Sequence, residues 1–145
     1  MKTVREMLSE KGSSVWSIPS TATVFEALKM MAERDVGALL VVDDEQIVGI
    51  MTERDYARKV AILGRTSKEA PVKEIMSEHV LYVGEDESVE ECMALMITKR
   101  VRHLPVLKEG KLNGLISIGD VVKGIIDEKE FTIGQLTHYI TGHSL

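Results

Sequence analysis

Two short stretches of this chain hold residues whose types and spacing could do chemistry. Gly49-Ile50-Met51-Thr52-Glu53-Arg54-Asp55 returns 65 positions later as Gly114-Leu115-Ile116-Ser117-Ile118-Gly119-Asp120. Each copy reads as a glycine, an apolar strand end, and then a hydroxyl and a carboxylate three residues apart at the mouth of a helix. A helix N-terminus has free backbone N–H groups and a partial positive charge, both of which favour anions. Doubled in this way, the hydroxyl and carboxylate suggest two related small-molecule sites. The same spacing is also a capping box, in which the two side chains serve the first turn of their own helix. The two roles can coexist, because backbone donors left free by the cap can still serve a ligand.

Other chemistry finds little support. Glu53, Asp55 and Asp120 could act as acid and base, but no nucleophile or metal set accompanies them. His79, His103, His138 and His143 lack metal-ligand spacing. There is no Gly-x-Ser-x-Gly, Walker loop or dinucleotide fingerprint. Cys92 stands in a helical stripe where the first repeat has Ala27, and Met30, Met31, Met93 and Met96 fall at helical spacing, so all five read as core. No catalytic residue and no metal ligand is expected, and the chain reads as a binding protein.

The elements that must position the two motifs are themselves repeated. At the same offset Val24 matches Val89, Glu26 Glu91, Met31 Met96, Val36 Val101, Leu39 Leu104 and Val41 Val106. Nearer the start of each unit the offset is 68, pairing Val4 with Val72, Glu6 with Glu74 and Ser9 with Ser77. A lead-in helix is expected over residues 3–10, a short strand over 15–18, and a helix opening at the capping box Thr23-Val24-Phe25-Glu26. A hairpin of strands 38–42 and 46–51 turns at Asp43-Asp44-Glu45, and a helix runs from Thr52 to about Leu63. The second unit repeats this order, with strands at 80–83, 104–107 and 112–116 and helices from Ser88 and Ser117. The domain reading is a first repeat over 1–63, a linker over 64–71, a second repeat over 72–126 and a helical tail over 127–145. In that tail Ile133, Leu136, Tyr139 and Ile140 share one face of a short helix. Units of this size are small for independent cores, which favours two halves packed as one pseudo-symmetric domain.

Composition narrows the function classes. The 145 residues are 44% hydrophobic and carry a formal charge of −5 with the signs interspersed, which argues against nucleic acid as a partner. Aromatic residues make up 4%, too few for a base-stacking platform. A single cysteine excludes an internal disulfide and fits a reducing compartment. No apolar run approaches the ~20 residues that span a bilayer, and residues 1–12 lack the apolar core of a signal peptide. The expected location is the cytoplasm, away from membranes.

The tandem β-α-β-β-α order, with G-h-h-[ST]-x-x-[DN] closing each unit, resembles the paired CBS-domain module named after cystathionine β-synthase. Val101-Arg102-His103-Leu104-Pro105-Val106 also resembles the second strand of such a domain and its approach. The resemblance covers residues 3–126. It implies an α+β fold of two pseudo-symmetric units packed as one module, followed by a short C-terminal helix. It also implies adenosine-containing ligands, AMP, ADP, ATP or NAD, bound in clefts between the repeats. Asp55 and Asp120 would accept the vicinal 2′ and 3′ hydroxyls of a ribose, while Thr52 and Ser117 reach the sugar or α-phosphate. The adenine slot would draw on the first strand of the opposite repeat. On that basis Val15 and Trp16 face the Asp120 site, and Val80 and Leu81 face the Asp55 site. Ala38, Leu39, Leu104 and Pro105 are second-strand candidates for its walls, and buried strand residues in either case. Trp16 could stack on a base or simply fill core. The implied protein is a regulator that forms a flat homodimer through its helices and signals to a protein partner. A scaffold with vestigial clefts and a nucleotide-processing enzyme are the alternatives.

The repeats differ where phosphates would need cations. Arg102 and His103 stand where the first repeat has Gly37 and Ala38, and Arg54 beside Asp55 aligns with Gly119. Arg58 follows one helical turn on, facing either phosphate or solvent. His103 is either a ligand contact or a satisfied core group. The two sites are therefore expected to be unequal.

Overall fold

The computed structural model describes residues 2–12 and 14–141, with the side chains of Phe131 and of 139–141 left out. Its packing divides the chain into two compact units, Val15–Leu81 and Met1–Ser14 with Tyr82–Leu145.

The Val15–Leu81 unit is built on a three-stranded sheet. β1 (Ser17–Ile18) runs parallel to β2 (Ala38–Asp43), and β2 runs antiparallel to β3 (Gln46–Thr52). Between β1 and β2 comes α2 (Val24–Arg34), counted after the lead-in helix α1 (Val4–Lys11) of the other unit. Thr23 caps α2 by accepting from the Glu26 N–H, so the expected capping signal operates. Helical spacing brings Val24, Ala27 and Met31 to one buried stripe, which packs with Leu39, Val41, Met51, Val60, Val72 and Ile75 in a continuous core. After β3, α3 (Glu53–Tyr56) passes directly into a π-helical turn, Ala57–Ala61, where the sequence predicts one unbroken helix. Residues 64–71 are more than a spacer. Ala70 and Ser67 accept from the Val24 and Phe25 N–H groups, which tie this segment to the first turn of α2.

The other unit repeats the sheet in the same register. β4 (Val83–Gly84) is parallel to β5 (His103–Lys108), which is antiparallel to β6 (Lys111–Ser117). His103 pairs with Ser117 as Ala38 pairs with Thr52, and both hairpins carry a bulge at the matching place, Val41/Val42 and Val106/Leu107. α4 (Val89–Lys99) buries Val89, Cys92 and Met96, the counterparts of the α2 stripe, so Cys92 is a core residue. α5 (Ile118–Thr141) runs 24 residues without a break. The expected tail helix is therefore the far end of α5. Nothing in Lys129-Glu130-Phe131-Thr132 stops a helix, since neither Gly nor Pro intervenes. Ile133 and Leu136 are exposed along it. The Tyr139 and Ile140 side chains and His143 lie outside the described residues.

The two sequence repeats exchange their lead-ins. α1, which opens the chain, packs with the second repeat, burying Val4, Met7 and Leu8. Residues 72–77, which open the second repeat, pack with the first. There Val72–Glu74 forms a 3-10 turn, and Ile50 and Ser77 exchange backbone hydrogen bonds of 3.0 and 2.9 Å. The motif glycines make room for this. A Cβ on Gly49 would lie 2.8 Å from the Ser77 carbonyl oxygen, and one on Gly114 would lie 2.7 Å from Leu8 Cδ2. Packing thus divides the chain at Val15 and Tyr82, whereas the sequence repeats run over 1–63 and 72–126. Burial of large apolar side chains such as Met7 and Leu8, worth about 1.5–3 kcal/mol each, holds α1 to its unit.

Candidate functional site

Each motif stands at the point where the last strand of a hairpin enters a helix. In the Val15–Leu81 unit, Thr52 ends β3 and caps α3. Its hydroxyl accepts from the Asp55 N–H at 3.2 Å, and Asp55 Oδ2 accepts from the Thr52 N–H at 3.0 Å. The capping box foreseen at this spacing is complete. Lys59, one turn further on, lies 3.3 Å from Asp55 Oδ1 and donates to the Ile75 carbonyl at 2.8 Å. The Asp55 carboxylate is mostly covered, with its side chain 18% exposed. Arg54 and Arg58 are exposed beside it and make no ion pair among the described residues.

The second motif repeats the box. Asp120 Oδ2 accepts from the Ser117 N–H at 2.8 Å, and the Asp120 N–H donates to the Ser117 hydroxyl at 3.2 Å. The lysine here comes from elsewhere. Lys11, at the end of α1, places Nζ 2.5 Å from Asp120 Oδ2 and 2.7 Å from the Leu115 carbonyl oxygen. Burial pushes the Asp120 carboxyl up, but the Lys11 ammonium and the Ser117 N–H together outweigh it and hold the group below the usual carboxylate range. His103 is brought to the same place. Burial depresses its imidazole, the Lys11 and Arg102 cations depress it further, and Asp120 only partly opposes them. The net effect favours the neutral form of the His103 ring. The Arg102 carbonyl accepts from the Ile118 N–H at 2.8 Å, fixing this approach against the first turn of α5.

The fold thus gathers Ser117, Asp120, Arg102 and His103 in one unit, and Thr52, Arg54 and Asp55 in the other. The base-slot candidates fare differently. Val15 and Trp16 precede β1 and fall within the Asp55 unit, as do Val80 and Leu81, which precede β4. Both first strands are shorter than expected, each reduced to the two residues that pair with the central strand. The Arg34 guanidinium lies 4.1 Å from the centroid of the Trp16 ring, so one ring face is already covered. Ala38, Leu39, Leu104 and Pro105 are buried strand residues.

Beside Asp120 is a depression of about 150 Å³ bordered by Met7, Glu10, Lys11 and Lys123. This is below the ~300–1,000 Å³ of a typical ligand pocket, so within this unit it could take only part of a nucleotide. A larger depression of about 490 Å³ is lined by Glu85, Asp86, Glu87 and Glu91 with Arg5 and Lys108, and includes no motif residue. Among the described residues no His, Cys, Asp and Glu group could hold a metal ion, and no helix is long and apolar enough to cross a membrane.

Sequence reading did not single out Lys11 or Lys59. Lys59 was findable, because it stands four residues after Asp55 in a predicted helix. No local signal joins Lys11 to Asp120.

The geometry meets a family pattern at both motifs. The CBS domain profile matches residues 4–62 and again 72–127. The chain belongs to the CBS domain family. CBS domain-containing protein CBSX3, mitochondrial, of Arabidopsis thaliana is 38% identical over 97% of this chain and 72% of its own length. A CBS-domain crystal structure designated NE2398 is 51% identical and covers 86% of this chain and 98% of its own, with a TM-score of 0.82. The CBS domain pair of protein MJ0100, solved with 5′-methylthioadenosine and S-adenosyl-L-methionine, covers 88% of this chain and 98% of its own. At a TM-score of 0.75 and 23% identity it shares the fold.

Proposed function

We propose that this CBS protein is a regulatory sensor of adenosine-containing ligands, gripping a ribose with Asp55 in one unit and Asp120 in the other. One observation carries the reading. Both motif carboxylates are held in place at a helix start by their own capping boxes, each with a lysine beside it, and Arg54 and Arg102 are exposed. A carboxylate fixed in that way can accept two hydroxyl donors without first being ordered, which suits a vicinal diol. Arg54 and Arg102 supply cations for phosphate at different positions, so AMP, ADP, ATP and NAD are expected to be ranked differently by the two sites. A ligand that prefers one arrangement of the protein shifts the population toward it, and a protein partner or a change of assembly reads that shift. The fold's occupancy by adenosyl compounds in the MJ0100 pair supports the ligand class.

Calorimetric titration with AMP, ADP, ATP and NAD tests this. Saturable binding of at least one of them, lost in steps by Asp55→Ala and Asp120→Ala, is expected. The second reading, an interaction scaffold with vestigial sites, draws on the same caps and lysines, which already engage each carboxylate. Absence of saturable binding to any of the four would favour it, and product formation on prolonged incubation would indicate an enzyme.

The regulator is expected to be a homodimer. Val122, Ile126 and Ile133 on α5 and Ile97 on α4 are exposed at 40%, 48%, 63% and 67%, an apolar helical surface of the kind that marks an interface. Light scattering should give twice the chain mass for the wild type and a lower mass for Ile126→Glu. A monomeric wild type would contradict the expectation.

A further inference from the structure

We infer that Lys11 makes the Asp120 site selective for phosphate-bearing adenosyl ligands over neutral ones. The inference rests on the ribose reading of Asp120. Oδ2 of Asp120 already accepts from the Ser117 N–H and from Lys11, whereas Oδ1 accepts no hydrogen bond among the described residues. A vicinal diol spanning the carboxylate needs Oδ2 as well as Oδ1, and the ammonium is the donor that can leave, because the Ser117 N–H is fixed by the helix start. Displaced, Lys11 keeps the Leu115 carbonyl but loses its counter-charge. The nearest alternatives do not replace it. Glu10 and Asp127, the other carboxylates lining the depression beside Asp120, are engaged by Lys2 at 2.7 and 3.8 Å, and the remaining groups influencing this corner, Arg102, His103 and Lys123, carry no negative charge. With AMP, ADP, ATP or NAD, the anion that arrives with the ligand is a phosphate. An ammonium on a flexible stem, 39% exposed and pivoting on a carbonyl, can swing to meet one. Neutral adenosine offers no such exchange and must bind against the cost of an unpaired cation.

The Asp55 site is built differently. Its lysine, Lys59, sits on the motif side and approaches Oδ1, and the lead-in position that corresponds to Lys11 is the exposed His79. In the second repeat the place of Lys59 is taken by Gly124, where a Cβ would lie 3.4 Å from Met7 Sδ. A lysine therefore joins motif and lead-in in each unit, but from opposite partners.

The test compares AMP with adenosine by calorimetry on the full chain carrying Asp55→Ala, so that only the Asp120 site is read. With Lys11 present, AMP should be preferred. Lys11→Met keeps the aliphatic stem and should reduce the AMP-to-adenosine affinity ratio by about fivefold, the scale of a half-exposed ion pair. Lys11→Arg should restore the preference, and circular dichroism should show all variants folded. An unchanged ratio in Lys11→Met, with binding still lost in Asp120→Ala, would overturn the role of Lys11 and leave the ribose reading standing. Binding of both ligands insensitive to Asp120→Ala would overturn the ribose reading and this inference with it.

Discussion

Lys11 Nζ lies 2.5 Å from Asp120 Oδ2, although 109 positions separate the two residues. The contact exists because α1 packs with the repeat that it does not begin, and it sets the electrostatics of the motif around Asp120. The side chain of Lys11 also reaches the Leu115 carbonyl on β6, so it binds the lead-in to both the strand and the helix of the motif.

Removing that ammonium should move two titrations in the same direction. In Lys11→Met the Asp120 carboxyl loses a cation that lowers it, and the His103 imidazole loses a cation that lowers it too, so both should titrate higher by NMR. The wild-type values bear on stability. Asp120 is depressed below its unfolded value of about 3.9, so its contribution is present above that pH and is lost as pH falls through the folded value. His103 is depressed below about 6.5, so the unfolded chain binds its proton first and stability declines as pH drops below that point. Denaturation between pH 7 and 5 should show the decline, and His103→Gln should flatten it. A wild-type curve with no slope in that window would contradict the assignment.

The motif glycines should differ in their tolerance of a methyl group. Gly49→Ala brings a Cβ to 2.8 Å from the Ser77 backbone oxygen, which is held in a bridge to Ile50 and cannot easily retreat. Gly114→Ala meets the tip of the Leu8 side chain, which can rotate. Urea denaturation should show a loss of about 2–3 kcal/mol for Gly49→Ala and a smaller one, about 1 kcal/mol, for Gly114→Ala. The reverse order would contradict the exchanged lead-ins.

The repeat in the sequence made much of the fold legible. Hairpins, caps and helical stripes fell where apolar period and turn residues put them, and Thr52, Asp55, Ser117 and Asp120 were readable as capping boxes from spacing alone. What the sequence concealed is of another kind. Nothing local says that residues 4–11 pack with the second repeat, because Val4 and Val72 align with each other irrespective of which sheet they cover. For the same reason Lys11 was invisible as a neighbour of Asp120. The π-helical turn after Tyr56 was also hidden, since Ala57-Arg58-Lys59-Val60-Ala61 has ordinary helix-forming composition.

The two hairpin turns offer a comparison internal to the chain. Asp44 and Glu45 have φ of 48° and 64°, while the matching residues Glu109 and Gly110 have 53° and 78°. Left-handed backbone is costly for a residue with a Cβ and nearly free for glycine. Glu45→Gly should therefore stabilise the protein by about 0.5–1 kcal/mol, seen as a higher urea midpoint at unchanged slope. A lower midpoint would show that the Glu45 side chain contributes more than its backbone strain costs.

The central claim is that Asp55 and Asp120 each hold the ribose of an adenosine-containing ligand. Calorimetric titration of the wild type, Asp55→Ala, Asp120→Ala and the double variant with AMP tests it most directly, with circular dichroism confirming that each is folded. Saturable binding in the wild type, reduced in each single variant and abolished in the double variant, is the predicted result. A folded double variant that binds AMP as the wild type does would contradict it.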